Sequence, residues 1–155
     1  MAVELVEDVA AGVVYYPAGL PARPSTATLT VRDPAGTSKE TPSVTVASVG
    51  AAGTSTVSSV TDQRTFVVDD ATGLTAGEYV WCATSDGWAG RVRLDEVEGT
   101  TITLEAAPPG TVTTATTLHG LKLSATVAAA TVAARGTHWR LEWAITDTAS
   151  TVTTQ

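Results

Sequence analysis

Residues 65–105 constrain the fold most, because four short strand-like stretches alternate there with glycine turns. The turns are Thr72-Gly73-Leu74, Asp86-Gly87-Trp88 and Glu98-Gly99-Thr100. Glycine supplies the positive φ that tight turns need. Between the turns, apolar and polar side chains alternate, as they do in a strand with one buried face. The segment therefore predicts a compact β unit.

The same alternation recurs on both sides of this segment. The strongest apolar stripe is formed by Trp139, Leu141, Trp143 and Ile145. In 79–83 both alternating faces are apolar, which predicts a strand that is covered on both sides. Threonine is frequent throughout, and its branched Cβ suits the pleated surface of a sheet. The sequence therefore predicts an all-β fold.

Two stretches of small and polar residues, 47–61 and 106–117, divide the chain. Each flanking piece holds few predicted strands, and two or three strands are marginal alone, so the two pieces are expected to complete each other. We predict an immunoglobulin-like β-sandwich lobe from 1–46 plus 118–147, an inserted small β-barrel over 57–117 and a flexible tail over 148–155. One continuous sandwich, with 47–61 as a long loop, is the alternative.

Two segments leave alternatives open. The alanine content of Ser124–Arg135 suits a helix, but the period-two pattern before it favours a strand, followed by a turn near Ala133–Gly136. The segment Ala2–Ala11 is expected either to be the first strand of its own sandwich or to lie along a neighbouring chain as an added strand.

Composition excludes several classes of function. The net charge of −7 disfavours nonspecific binding to nucleic acid or to anionic membranes, which requires a basic face. The single cysteine, Cys82, rules out an intrachain disulfide and is compatible with a reducing compartment. No signal peptide and no run of roughly 20 apolar residues is found. We therefore expect a soluble protein that is made in the cytoplasm.

The residues that catalysis requires are scarce. His138 is expected on a polar strand face, His119 in a polar turn contact, and Cys82 in the core. The carboxylates Asp69, Asp70, Asp86, Asp95, Glu96 and Glu98 lack the ordered spacing of a calcium loop. Turn capping and a solvated rim are the expected roles of these carboxylates. We therefore predict no enzyme activity, no metal and no cofactor.

Trp88 lies at the tip of a predicted hairpin, Ser85-Asp86-Gly87-Trp88-Ala89-Gly90. A large aromatic side chain is costly to leave exposed at such a tip. Two outcomes are equally expected: contact with another chain, or folding back over its own domain.

The central segment has a T-G-L-x-x-G-(acidic)-Y/V turn and strand, followed by V-x-V and G-x-T-I/V-x-L strands. The residues that form this pattern are Thr72, Gly73, Leu74, Gly77, Tyr79, Val92, Val97, Gly99, Ile102 and Leu104. The pattern resembles the small β-barrel segment of tailed-phage virion proteins. The flanks that strengthen the resemblance are Tyr16-Pro17-Ala18-Gly19-Leu20-Pro21, the following TATLTVRDPAGT and the closing GTHWRLEWAITD, which is similar to the last strand of immunoglobulin-like phage domains.

This resemblance implies a structural protein of the capsid, neck or tail, located in the virion after synthesis in the host cytoplasm. We expect a connector-type ring component at the head-to-tail neck, whose acidic inner surface lets DNA pass without adhesion. The expected partners are copies of the chain itself and portal, neck, tail or major capsid proteins. No specific nucleic acid and no membrane are expected as partners.

The alternatives are a capsid decoration protein that clamps shell subunits, and a carbohydrate-binding or receptor-binding module. The candidate interface residues are Trp88, Asp86, Tyr16, Leu20, Arg91 and Arg93.

Overall fold

A computed structural model describes residues 2–3, 11–128 and 139–155 of the chain. Within these ranges the protein is all-β, as the sequence predicts, and no helix is present. The chain divides into two compact units. We call them the sheet unit (Met1–Pro17, Pro24–Val46 and Leu123–Gln155) and the barrel unit (Ala18–Arg23 and Ala47–Lys122).

The sheet unit contains two antiparallel sheets. Numbered along the whole chain, its strands are β1 (Ala2–Val3), β2 (Ala11–Tyr15), β3 (Pro24–Arg32), β4 (Ser38–Glu40), β5 (Val44–Val46), β12 (Leu123–Val127), β13 (Trp139–Asp147) and β14 (Val152–Thr154). One sheet has the order β1-β13-β3-β4, with β14 also paired to β13. The other sheet has the order β2-β12-β5.

The apolar stripe of β13 forms the centre of the sheet unit. Trp143 and Ile145 are fully buried, because alternate residues of a strand face the same side. The Trp143 ring stacks on Tyr15 of the other sheet, with 5.5 Å between ring centroids. Leu29 and Val31, which alternate on the neighbouring β3, are also fully buried. The prediction that this stripe is a core strand is confirmed.

The C-terminal segment differs from the flexible tail predicted for 148–155. Asp147 Oδ1 accepts hydrogen bonds from the amides of Ala149 and Thr151, both at 2.9 Å, and these bonds reverse the chain. The returning strand β14 then pairs with β13. Trp143 and Gln155 exchange two backbone hydrogen bonds of 2.9 Å.

The barrel unit is a closed ring of six antiparallel strands. They are β6 (Ser55–Val60), β7 (Thr65–Val68), β8 (Tyr79–Ala83), β9 (Ala89–Glu98), β10 (Thr101–Leu104) and β11 (Thr117–Gly120). The strand order around the ring is β10-β7-β6-β11-β8-β9. Its buried core consists of Val49, Val57, Phe66, Val68, Leu74, Val80, Cys82, Val92, Leu94, Ile102, Leu104, Val112 and Leu118.

The barrel unit extends beyond the insertion predicted over 57–117. Strand β6 starts within the stretch expected to be a seam, where buried Ser55 donates a 2.6 Å hydrogen bond to the carbonyl of Asp70. Strand β11 pairs with both β6 and β8, so residues 118–122 belong to the barrel and not to the sandwich lobe. Strand β8 is covered on both sides, as expected, since Val80, Trp81 and Cys82 are all buried.

The two segments for which the sequence leaves alternatives open, Ser124–Arg135 and Ala2–Ala11, lie only partly within the described residues. Residues 123–127 form strand β12, as the period-two pattern predicts, whereas 129–135 and the expected turn near 133–136 lie outside the described residues. Ala2 and Val3 pair with β13 of their own sheet. Residues 4–10, and His138, also lie outside the described ranges.

The glycine of the Thr72-Gly73-Leu74 turn provides a test of the barrel. Gly73 has φ +79°, and an added Cβ would lie 2.3 Å from the Ser48 carbonyl oxygen. Gly99 also has positive φ, +59°, but no atom lies within 4 Å of its added Cβ. We expect Gly99→Ala to lower the free energy of unfolding by about 1–2 kcal/mol. Gly73→Ala should lower it by at least about 3 kcal/mol, because a backbone clash is added to the same strain.

Urea denaturation followed by tryptophan fluorescence measures both variants against the unmodified chain. Equal losses in the two variants would contradict the close approach at Gly73.

Candidate functional site

A groove on the barrel unit brings together three of the six candidate interface residues. It lies along the first half of β9, between the first residue of β8 and the loop that follows β10, and has a volume of about 180 Å³. It is lined by Tyr79, Trp88, Arg91, Val92, Arg93, Glu105, Ala106, Ala107, Pro108 and Pro109. We call it the β9 groove.

Trp88 forms an apolar wall of the β9 groove. The side chain is half-buried and packs against the barrel core, so it folds back over its own unit. Gly90 permits this position, because a Cβ there would lie 2.8 Å from Trp88 Cζ2. Gly110 approaches from the opposite loop, where a Cβ would lie 2.7 Å from Trp88 Cβ. Trp88 therefore shapes the groove and still contributes to its surface.

Asp86 holds the two loops of the groove together. Its carboxylate accepts hydrogen bonds from the Thr84 hydroxyl at 2.6 Å and from the Thr111 amide at 2.8 Å. The Trp88 amide donates a longer bond of 3.4 Å to the same carboxylate. These donors, the Thr84 hydroxyl first, lower the pKa of Asp86 from 3.8 to about 2. Asp86 is thus a structural support of the groove.

Arg91 and Tyr79 form a stacked pair on the groove wall. The Arg91 guanidinium carbon lies 4.4 Å from the centre of the Tyr79 ring. Such a contact is attractive because the ring face carries partial negative charge. It holds the long Arg91 side chain against the groove wall.

Arg93 is held by two partners. Its Nη1 lies 3.0 Å from Glu105 Oε1, and its Nε donates to the Gly77 carbonyl at 3.2 Å. Both members of the ion pair are substantially exposed, so the pair contributes little to stability. Its effect is to fix one edge of the groove.

Tyr16 and Leu20 do not line the groove. Tyr16 follows β2 in the sheet unit and is half-buried. Leu20 belongs to the 18–23 segment of the barrel unit and is only 8% exposed. A side chain with so little exposed surface is a poor docking contact. The burial of Leu20 therefore does not support its prediction as an interface residue.

His119 is a strand residue of β11 and not a turn residue. Its Nδ1 lies 2.8 Å from Arg23 Nη1 and 3.1 Å from Thr54 Oγ1, and its Nε2 lies 3.1 Å from Thr117 Oγ1. Partial burial, followed by the nearby Arg23 charge, lowers the pKa of His119. These polar contacts attach the 18–23 segment to the barrel.

The acidic turn residues cap backbone amides. Asp70 accepts from the amides of Ala51 at 2.7 Å and Thr72 at 2.9 Å, and Asp69 accepts from Thr56 at 2.7 Å. No group of three or more potential metal ligands occurs within the described ranges. Burial raises the pKa of the Cys82 thiol to about 12, so it stays protonated in the core.

A larger cavity of about 570 Å³ lies in the sheet unit over β2, β5 and β12. Its described lining is mostly small or polar, and its one ionisable side chain is Glu40. The Glu40 carboxylate accepts hydrogen bonds of 3.0 and 3.2 Å from the Ala128 amide. Apart from Glu40, whose carboxylate accepts these backbone hydrogen bonds, the described lining has no charged side chain and no aromatic ring that would define a ligand.

Sequence analysis missed two features of the β9 groove. Tyr79 was identified as a strand residue, but its cation–π contact with Arg91 depends on the pairing of β8 with β9. Pro108 and Pro109 were assigned to a seam, yet their loop forms a groove wall. The two adjacent prolines, which restrict the backbone, were the available signal for an ordered loop.

No protein-family profile matches the chain, and neither a curated protein nor a solved structure matches it at a significant level. Within the described ranges there is no helix that is long and apolar enough to cross a membrane.

The contribution of Asp86 to the stability of the fold can be tested by measuring the unfolding free energy at different pH values. Because its folded pKa is lowered, Asp86 stabilises the fold above its ordinary pKa of 3.8, and this contribution is lost as the pH falls through about 2. We expect Asp86→Asn to make the fall in unfolding free energy between about pH 4 and pH 2 shallower. Urea denaturation at a series of pH values measures this slope.

Thr84→Val is the companion variant. It removes the hydroxyl that lowers the pKa of Asp86 most, and it keeps the shape of the side chain. Thr84→Val should also make the fall in unfolding free energy between about pH 4 and pH 2 shallower. An unchanged slope in Asp86→Asn would contradict the role of these hydrogen bonds.

Proposed function

We propose that the chain is a non-enzymatic structural protein of a tailed-phage virion, and that it acts at the head-to-tail neck as a connector-type component. The observation that carries this proposal is the closed six-stranded barrel over the segment that resembles phage virion proteins. The resemblance includes the turn glycine Gly73, where any Cβ would lie 2.3 Å from the Ser48 carbonyl oxygen, so the barrel needs a glycine at this position.

The sheet unit supports the same proposal. We interpret its two antiparallel sheets as an immunoglobulin-like sandwich, in which Trp143 is the buried aromatic between the sheets. Strand β13, which comprises the WRLEWAITD residues of the closing stretch, lies inside the larger sheet, between β1 and β3. A sandwich interrupted by a barrel provides two rigid surfaces on one short chain.

The chemistry of the described side chains favours an assembly role. Asp69, Asp70 and Asp86 are used for capping, and Cys82 is buried and protonated. The net charge of −7 suits a component past which DNA moves, because like charges disfavour adhesion.

Particle binding tests the proposal directly. We expect the purified chain to associate with isolated tailed-phage capsids and to be confined to one vertex, as seen by light scattering and by electron microscopy of the gold-labelled chain. Uniform labelling of the shell would favour capsid decoration. A chain that does not bind capsids, necks or tails would contradict a virion role.

Carbohydrate binding is the second candidate, and the specific observation in its favour is that Tyr79 and Trp88 line one groove. Aromatic rings are suitable surfaces for sugar stacking. Under this alternative, glycans quench tryptophan fluorescence, and Trp88→Phe alters the response while it preserves an aromatic ring against the core. Quenching that is lost in Trp88→Phe would favour carbohydrate binding over the neck role.

A further inference from the structure

His119 holds the 18–23 segment on the barrel unit through a ring nitrogen that accepts hydrogen bonds. Its Nδ1 lies 2.8 Å from Arg23 Nη1 and 3.1 Å from Thr54 Oγ1. A guanidinium group only donates hydrogen bonds, so Nδ1 must offer its lone pair in this contact. The proton of the neutral ring is therefore on Nε2, which lies 3.1 Å from Thr117 Oγ1.

The same geometry is incompatible with a protonated ring. Both nitrogens of a protonated imidazole are donors. The Thr54 hydroxyl can rotate and accept from Nδ1, but the Arg23 guanidinium cannot. A proton on Nδ1 would thus face a second donor across 2.8 Å and would place two positive charges together. Protonation of His119 and its contact with Arg23 therefore exclude each other.

Several parts of the barrel unit present groups to the His119 ring. These groups are Arg23 from the 18–23 segment, Gly53 and Thr54 from the loop before β6, Thr117 from β11, and Trp81, the β8 residue paired with His119. Arg23 is the one charged group in this set. Arg91 lies one strand further away, because on β9 it is paired with Trp81.

Burial and charge both oppose protonation of the ring. Partial burial, followed by the Arg23 charge, lowers the pKa of His119 from its ordinary value of 6.5, and the Gly53 backbone offsets part of this effect. A base whose pKa is lower in the folded state contributes stability that is fully present above its unfolded pKa. For His119 this contribution is lost as the pH falls below 6.5 and through the folded pKa.

The 18–23 segment has no regular secondary structure, and Ala18, Gly19 and Pro21 are exposed. Leu20 is buried, and Arg23 is half-buried at the end of the segment. The next residue along the chain starts β3 of the sheet unit. The contact between Arg23 and His119 therefore fixes the segment at the point where the chain leaves the barrel unit.

We propose that His119 is a pH-sensitive latch for the 18–23 segment. When the ring is neutral, Nδ1 accepts from Arg23 and the segment stays on the barrel. A proton taken up from solvent by Nδ1 removes the acceptor, so Arg23 separates from the ring and the segment opens while the barrel strands stay paired. The latch does not depend on the proposed virion function.

Hydrogen exchange of the backbone amides of 18–23, corrected for the intrinsic effect of pH, tests the latch. We expect exchange to become about two- to tenfold faster between about pH 7.5 and about pH 4.5, because one hydrogen bond is lost. NMR titration of the imidazole follows protonation in the same samples. The two midpoints should coincide below pH 6.5, and Nδ1 should be unprotonated at neutral pH.

Two variants separate the titration from the contact. His119→Asn removes the titrating group and keeps an acceptor, since the amide oxygen can take the place of Nδ1. Exchange in 18–23 should then lose its pH-dependent rise. Arg23→Met removes the guanidinium and keeps an unbranched side chain. It should raise the pKa of His119 and make exchange in 18–23 faster at neutral pH.

His138→Asn is the matched control, because His138 is the other histidine of the chain. It should leave the pH response of the 18–23 segment unchanged. Circular dichroism of every variant separates a lost contact from a lost fold.

Three results would overturn the latch. The first is exchange in 18–23 that does not rise as the His119 ring titrates. The second is an equal rise in His119→Asn. The third is a rise shared by the amides of β7, which would show that the barrel unfolds as a whole.

Discussion

Closure of the barrel by β11 is the constraint on which the barrel unit depends. The four residues of this strand, Thr117–Gly120, pair with β6 on one side and β8 on the other. A Cβ at Gly120 would lie 1.7 Å from the Ala47 carbonyl oxygen, so the chain crosses there at a distance that only glycine allows. Because the ring of six described strands is closed, it offers no strand edge for pairing with another chain. Recognition by this unit must therefore use side chains on its outer wall.

The outer wall is shaped by groups that are themselves fixed by the fold. Asp86 connects the turn before β9 to the loop after β10, and Trp88 fills the space between them. Arg91 is ordered by the Tyr79 ring, so its charge is presented in one position. A preorganised surface loses less conformational entropy on binding than a mobile one. The groove thus follows from the hydrogen bonds and packing of the barrel.

Local alternation was sufficient to predict the strands whose faces differ strongly in polarity. The stripe through Trp143 is the example, because burial follows period two along β13. The strand around Cys82 was predicted from a different pattern, apolar residues on both faces, and Val80, Trp81 and Cys82 are all buried. Strand β6 was assigned to a seam because 47–61 is small and polar and has weak periodicity. The structure explains the weak pattern, since the second half of β6, Ser58 to Val60, is exposed on both faces. Strand β14 is short and mostly polar, and it depends on the Asp147 turn and on pairing with β13. The groove depends on which strands pair and on a distant loop, and neither is encoded in local periodicity.

Net charge and local charge act over different ranges in such a chain. A charge of −7 makes copies repel one another, but this repulsion is screened beyond about 8 Å at physiological salt. Charges that meet at contact distance, and that are partly shielded from water, are screened much less. The position of a few exposed charges therefore decides which faces of acidic copies can come together. The net charge of the whole chain governs only how readily the copies approach one another.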